Sequence, residues 1–169
     1  MNLILCGMMG SGKTTIGIKI AEQTGRRWYD TDGIIVDKYG KISDIFEYYG
    51  ESHFRKLETE IVKELADKDN LIISTGGGLV LKSENNVLLK QNGKIVFLRA
   101  TLETLAKRLK VDGERPLLRT STENIRDRLN RLLDERSPIY ESVADYIVDV
   151  DGKTPETIAE EILNIVAQK

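Results

Sequence analysis

The chain has 169 residues, of which 25 are lysine or arginine and 27 are aspartate or glutamate, leaving a net charge of −2. Hydrophobic residues make up 40% and charged residues 31%, the balance of a globular protein with one well-buried domain and too few residues for two. The missing basic excess argues against nucleic acid as a partner, no stretch reaches the ~20 apolar residues of a membrane helix, and the lone Cys6 leaves no intrachain disulfide.

The first strand, Asn2–Cys6, is entered without a basic leader or cleavage signal, so a reduced, cytoplasmic setting is the expectation. Cys6 reads as core filler. Gly7-Met8-Met9-Gly10-Ser11-Gly12-Lys13-Thr14 follows, spelled G-x-x-x-x-G-K-T, and opens a helix from Lys13 to about Thr24 that Gly25 closes. Glycines let a backbone curl around phosphate oxygens. Successive N–H groups then form an anion nest, to which the helix N-terminus adds partial positive charge. Lys13 can reach β- and γ-phosphates, and the Thr14 hydroxyl is placed to ligate Mg²⁺. Gly10, Ser11, Gly12, Lys13, Thr14 and Thr15 are therefore the expected ATP cradle.

A short strand, Arg27–Tyr29, leads to Asp30-Thr31-Asp32 and a helix over Gly33–Lys38. A capped helix start follows at Ser43, then a helix over Glu51–Ala66 with apolar spacing at Phe54, Leu57, Ile61, Val62 and Leu65. Strand Leu71–Ser74 precedes Thr75-Gly76-Gly77-Gly78 and a helix over Lys82–Lys90. Strand Ile95–Leu98, helices over Leu102–Lys110 and Glu123–Glu135, strand Tyr146–Val148 and a helix over Pro155–Val166 complete the chain, the last with Thr154 as N-cap. Alternating strands and helices imply a three-layer α/β/α fold on a parallel sheet, with ligands beyond the carboxyl ends of the strands. The expected division is one domain with a core of residues 1–30, 62–109 and 123–169, a helical substrate-binding insertion at about 31–61, and a lid at about 110–122.

The chemistry-bearing residues follow strands. Asp30 and Asp32 could hold a Mg²⁺ water and a substrate hydroxyl; alone they would read rather as turn or N-cap aspartates, and the neighbouring glycine loop favours the functional reading. The third strand ends in Ser74 where an acidic Walker B residue would stand. Three consecutive glycines after it expose backbone N–H groups and admit a ligand closely. Arg55, Arg108, Arg115 and Arg136 are candidates for pairing with carboxylate or phosphate. Arg126, Arg128 and Arg131 read as a charged helix face, His53 as structural, and Trp28 and Tyr29 as core.

Taken together, Gly7–Thr14, Asp30-Thr31-Asp32, Phe54-Arg55-Lys56-Leu57-Glu58, Thr75-Gly76-Gly77-Gly78, Arg115-Pro116-Leu117-Leu118 and Arg136-Ser137-Pro138-Ile139-Tyr140 resemble the shikimate kinases in order and approximate spacing. The resemblance runs from Leu3 to the last helix. It implies a P-loop kinase fold with five parallel strands in the order 2-3-1-4-5. The implied reaction is Mg²⁺-dependent transfer of the ATP γ-phosphate to the 3-hydroxyl of shikimate, in aromatic amino-acid biosynthesis. It implies that Lys13 neutralises phosphate charge, Thr14 and Asp30 serve the metal, and Asp32 receives the shikimate hydroxyls. Arg55 and Arg136 would clamp the carboxylate, and Gly76, Gly77 and Gly78 would line the ring. Arg115 would meet the γ-phosphate, Arg108 would stack on adenine, and Pro155 would lie near its other face. Lys13, Asp32 and Arg115 form the implied catalytic set. A monomer that binds neither nucleic acid nor membrane is expected. A kinase for another small hydroxylated acceptor, such as gluconate, and a nucleotide-dependent switch are the rival readings. The chain lacks the N-K-x-D motif and acidic Walker B residue of a switch.

Overall fold

Continuous apolar runs make strands that must be covered on both faces. In the computed structural model, which describes residues 1–109 and 124–168, β1 (Asn2–Cys6) and β3 (Leu71–Ser74) are wholly buried and β4 (Gly93–Arg99) is mostly so. β2 (Arg27–Asp30) and β5 (Tyr146–Asp149) form the more exposed edges. All pairings are parallel and the order is β2-β3-β1-β4-β5, as the resemblance implied. Burial pushes the Cys6 thiol up to about 12, so it stays a neutral core group.

Eight helices are present among the described residues: α1 (Lys13–Thr24), α2 (Thr31–Tyr39), α3 (Ile42–Tyr49), α4 (Glu51–Ala66), α5 (Ser83–Gln91), α6 (Leu102–Leu109), α7 (Ile125–Val143) and α8 (Pro155–Ala167). A 3₁₀ turn, Leu79–Leu81, precedes α5. α1 packs against α8, α4 against α5, and α6 against α7. Gly25 closes α1 in the left-handed region, and Thr154 caps α8 by accepting from the Thr157 N–H.

Several boundaries differ from the sequence expectation, and those of α3, β4 and α7 have a physical reason. Ser43 lies inside α3 and does not cap it; Lys41 stands at the N-cap without a side-chain bond. β4 extends at both ends because Gly93 pairs with Asn2 and Arg99 pairs with Asp149, whose carboxylate its guanidinium meets at 2.6 and 2.9 Å. Such polar ends are invisible to an apolar pattern but join the ladder. The largest difference is α7, which runs through Pro138 to Val143 instead of ending at Glu135. A proline inside a helix forfeits one backbone bond and costs ~3 kcal/mol. Burial of Leu129, Arg136 and Tyr140 along α7 offsets that loss. Tyr140 is fully buried, its ring 5.0 Å from that of Phe97.

The helix carrying the glycine loop is tied down at its base. The Ser74 hydroxyl donates to the Lys13 carbonyl at 2.7 Å and accepts from the Trp28 indole N–H at 3.0 Å. Trp28 is thus half-buried and polar in its contact, not plain core. Gly17 makes room for the pair: a Cβ there would lie 2.5 Å from Ser74 Oγ and 2.6 Å from Trp28 Nε1. Alanine would raise helix propensity by ~1 kcal/mol, whereas overpacking costs ~1–3 kcal/mol. Gly17→Ala should therefore lower the melting temperature. An unchanged or higher value in a thermal melt would show that the contact yields freely.

Candidate active site

The carboxyl ends of the strands open onto a cleft of about 1080 Å³. Gly10, Gly12, Lys13, Thr14, Thr15, Asp30, Asp32, Arg55, Gly76, Gly77, Gly78, Arg108, Arg136 and Pro155 all line it. Among the expected site residues, Ser11 lies beneath the loop, fully buried, its N–H donated to the Met8 carbonyl. Arg115 and the expected lid fall outside the described residues.

On one side is the glycine loop. Gly10 and Gly12 have φ of 83° and 97°, a left-handed conformation that other residues rarely adopt. Gly12 thereby becomes the N-cap of α1 with no side chain over the helix end. Lys13 Nζ sits in the loop, donating to the Gly7 and Met8 carbonyls at 2.8 Å each. The Thr14 hydroxyl donates to Asp30 Oδ2 at 3.0 Å. The other Asp30 oxygen accepts from the N–H groups of Asp32 and Gly33, so Asp30 also caps α2. The N-cap reading of that aspartate therefore holds, and its second oxygen meets the hydroxyl expected to serve the metal. A hydroxyl and a carboxylate at this separation are hard oxygen donors that suit Mg²⁺. No cluster of three or more acidic, histidine or cysteine residues fit for a metal exists among the described residues. A Mg²⁺ here would therefore take its remaining ligands from water and phosphate, its usual habit. Arg108, at the end of α6, donates to the Gly10 carbonyl at 3.0 Å and faces the same opening as Pro155.

Across the cleft, the glycine run after β3 is the floor. Thr75 fixes its start by donating N–H and hydroxyl to the Leu5 carbonyl. Gly76 donates its N–H to the buried Thr31 hydroxyl at 2.9 Å. Each glycine then meets a different functional side chain. A Cβ on Gly76 would lie 2.6 Å from Asp32 Oδ1, one on Gly77 3.4 Å from Arg136 Nη1, and one on Gly78 2.7 Å from the Arg55 guanidinium carbon. The three residues expected to read the acceptor thus rest on one stretch of backbone.

Two residues in the quoted motifs turn out to brace those readers. Glu58, 1% exposed, accepts from Arg55 Nη1 at 2.7 Å, while Glu51 meets Arg55 Nη2 at 3.2 Å. Burial works against the Arg55 charge, but these carboxylates outweigh it and raise its pKa. Glu58 Oε1 has no hydrogen-bond partner among the described residues. Burial first, with Asp32 adding to it, pushes the Glu58 carboxyl up to about 7 against the pull of Arg55. The spacing from Arg55 to Glu58 is one helical turn, a signal available in the sequence. Tyr140, one turn beyond Arg136, was obscured by placing the helix end before Pro138. Elsewhere, His53 packs its ring 5.1 Å from Tyr49, and Arg126 pairs with Glu103 on an exposed face, as read from the sequence.

A carboxyl raised in the folded state stabilises the fold below its unfolded pKa and loses that contribution as pH rises through the folded value. For Glu58 that window runs from about 4.5 to about 7. The melting temperature of the wild-type chain, measured relative to that of Glu58→Gln, should therefore fall across this interval. A flat difference between the two melting curves would mean that Glu58 titrates normally.

The shikimate kinase family model matches residues 9–167. A shikimate kinase of Caldicellulosiruptor bescii is 45% identical over 97% of this chain and 94% of its own length. One of Thermodesulfovibrio yellowstonii is 43% identical over 96% and 92%. A shikimate kinase of Acinetobacter baumannii, solved in complex with shikimate, has a TM-score of 0.93 at 38% identity, covering 99% of this chain and 93% of that one. A gluconokinase of Sinorhizobium meliloti has a TM-score of 0.65 at 20% identity over 99% of this chain and 91% of its own, a likeness of fold alone. On its sequence matches and its sheet order, the chain belongs to the shikimate kinase family.

Proposed function

We propose that the protein transfers the γ-phosphate of ATP to the 3-hydroxyl of shikimate, yielding shikimate 3-phosphate and ADP. The observation that carries this reading is the glycine run beneath Asp32, Arg136 and Arg55, which faces the phosphate loop across one cleft. Two guanidinium groups suit a carboxylate, and an aspartate beside them suits a ring hydroxyl. The relatives' names supply the identity of the acceptor.

In this reading the phosphates lie along Gly10–Thr15, with Arg108 and Pro155 on the two sides of adenine. Lys13 leaves its loop carbonyls to meet phosphate oxygens. Thr14 and Asp30 would hold Mg²⁺, which when bound would neutralise phosphate charge. Arg55 and Arg136 fix the acceptor by its carboxylate, and Asp32 orients the attacking hydroxyl and takes its proton. Phosphoryl transfer passes through a loose transition state, so alignment and charge stabilisation do most of the work. Arg115 adds positive charge at the γ-phosphate, as its family motif implies. The insertion at about 31–61 serves as the acceptor-binding part and residues 110–122 as a lid. In this reading the chain acts as a monomer. Dependence on ATP supports a cytoplasmic setting, and the acceptor supports a place in aromatic amino-acid biosynthesis.

A coupled ADP-release assay tests the reading. Turnover should require shikimate; hydrolysis without acceptor, or turnover only with gluconate, would overturn it. Asp32→Asn should bind ATP normally and lose most turnover, and near-normal rates would remove Asp32 from the chemistry. Arg136→Lys should raise the KM for shikimate more than that for ATP, because the planar fork is lost. Equal rises in the two constants would rule out a carboxylate clamp.

A further inference from the structure

We infer that Tyr140 is a positioning residue for the acceptor: its hydroxyl turns the Gly77–Gly78 peptide so that the Gly78 N–H faces the bound substrate. This deepens the acceptor reading above and rests on it. The Tyr140 hydroxyl donates to the Gly77 carbonyl at 2.5 Å, from a side chain with no exposed surface. Burial, opposed by the nearby Arg136 guanidinium, lifts the phenol to about 12, so it keeps its proton at any working pH.

Peptide geometry carries the next step. The described chain has no cis peptide bond, so the Gly77 C=O and the Gly78 N–H point in opposite directions. Gly77 and Gly78 line the cleft, whereas Tyr140 lies behind them on α7. A carbonyl drawn back toward Tyr140 presents the following N–H to the cleft. Neither the Gly77 nor the Gly78 N–H is bonded to another described residue. With the carboxylate taken by the two arginines, that leaves a donor for a hydroxyl oxygen of the acceptor.

The device answers a weakness of the glycine run. With no Cβ on either side, a Gly–Gly peptide rotates more easily than any other, and a rotated plane would show the acceptor a carbonyl instead of a donor. A side-chain bond to that carbonyl selects one orientation. Tyr140 also follows Arg136 by one turn of the same helix, so the residue aiming the peptide and the residue meeting the acceptor's anion are carried together. Its ring rests on Phe97 of β4, and its hydroxyl lies 3.9 Å from the Met8 sulfur in the phosphate loop.

Calorimetric binding of shikimate and of each of its monodeoxy analogues, to the wild-type chain and to Tyr140→Phe, tests the proposal. Removing one buried hydrogen bond should weaken shikimate binding by about 3- to 10-fold and leave ADP binding unchanged. One deoxy analogue, lacking the hydroxyl that the Gly78 N–H meets, should bind both proteins alike. Phe97→Leu, which disturbs the ring stack but keeps the phenol, should lower the melting temperature and leave shikimate binding unchanged. Equal loss for shikimate and all analogues, or the same selective loss in Phe97→Leu, would make Tyr140 a packing residue and overturn the proposal. Failure of the wild-type chain to bind shikimate would overturn the acceptor reading itself. That result is read without any variant, so the two failures are distinguishable.

Discussion

Gly76, Gly77 and Gly78 carry no side chains; the space a Cβ would enter at Gly76 and Gly78 is taken by Asp32 and Arg55, and Arg136 comes within van der Waals contact of that at Gly77. This close approach is the constraint on which the acceptor half of the cleft depends. The three side chains come from the start of α2, from α7 and from α4, elements far apart in the chain. They converge because one extended piece of backbone lets all of them lie against it at van der Waals distance. The same piece continues β3, whose last residue, Ser74, is bonded to the carbonyl of Lys13. Displacement of the glycine run would therefore be felt on both sides of the cleft.

The two arginines are supported differently. Arg55 is half-buried and held by Glu58 and Glu51 within its own helix, with Phe54 beneath its guanidinium at 5.4 Å. Arg136 is buried in the middle of a helix that tolerates a proline two residues later. Ending α7 before Pro138 would remove the helical relation between Arg136 and Tyr140, and with it the placement of the guanidinium against the glycine run. Retaining a locally unfavourable proline where tertiary contacts outweigh it is the pattern expected near a functional site.

The phosphate loop, the parallel sheet and the glycine run were legible because each rests on local chemistry: glycines with positive φ, apolar strand runs, and exposed backbone donors. The strand order came with the family resemblance and not from periodicity. The two roles of Asp30 could not be separated in the sequence, since an N-cap and a hydroxyl acceptor ask for the same carboxylate. The supports were harder still. Glu58 and Tyr140 stood in recognised motifs, but their work depends on burial and on a contact across 63 residues, from Tyr140 to Gly77. The Thr31 hydroxyl was missed for the same reason: its partner, the Gly76 N–H, is 45 residues away. Pairings of this kind leave no period and no spacing behind them.

Charge balance links these supports to the proposed chemistry. Around the glycine run stand two guanidinium groups, Arg55 and Arg136, and two carboxyl groups, Asp32 and Glu58. Burial pushes the Glu58 carboxyl up to about 7, while Arg55 pulls the other way. An anionic acceptor clamped by the same arginines would compete for that pull and would itself repel the Glu58 charge, both of which raise the carboxyl further. In the proposed reading, acceptor binding and proton uptake by Glu58 would be coupled, and by reciprocity protonation of Glu58 would favour the acceptor. The group that holds Arg55 in place can thus give up its charge when the substrate brings its own. An arginine braced by a normally acidic, solvated carboxylate would keep its salt bridge and meet the substrate only by breaking it. Burial of Glu58 is what makes the exchange possible.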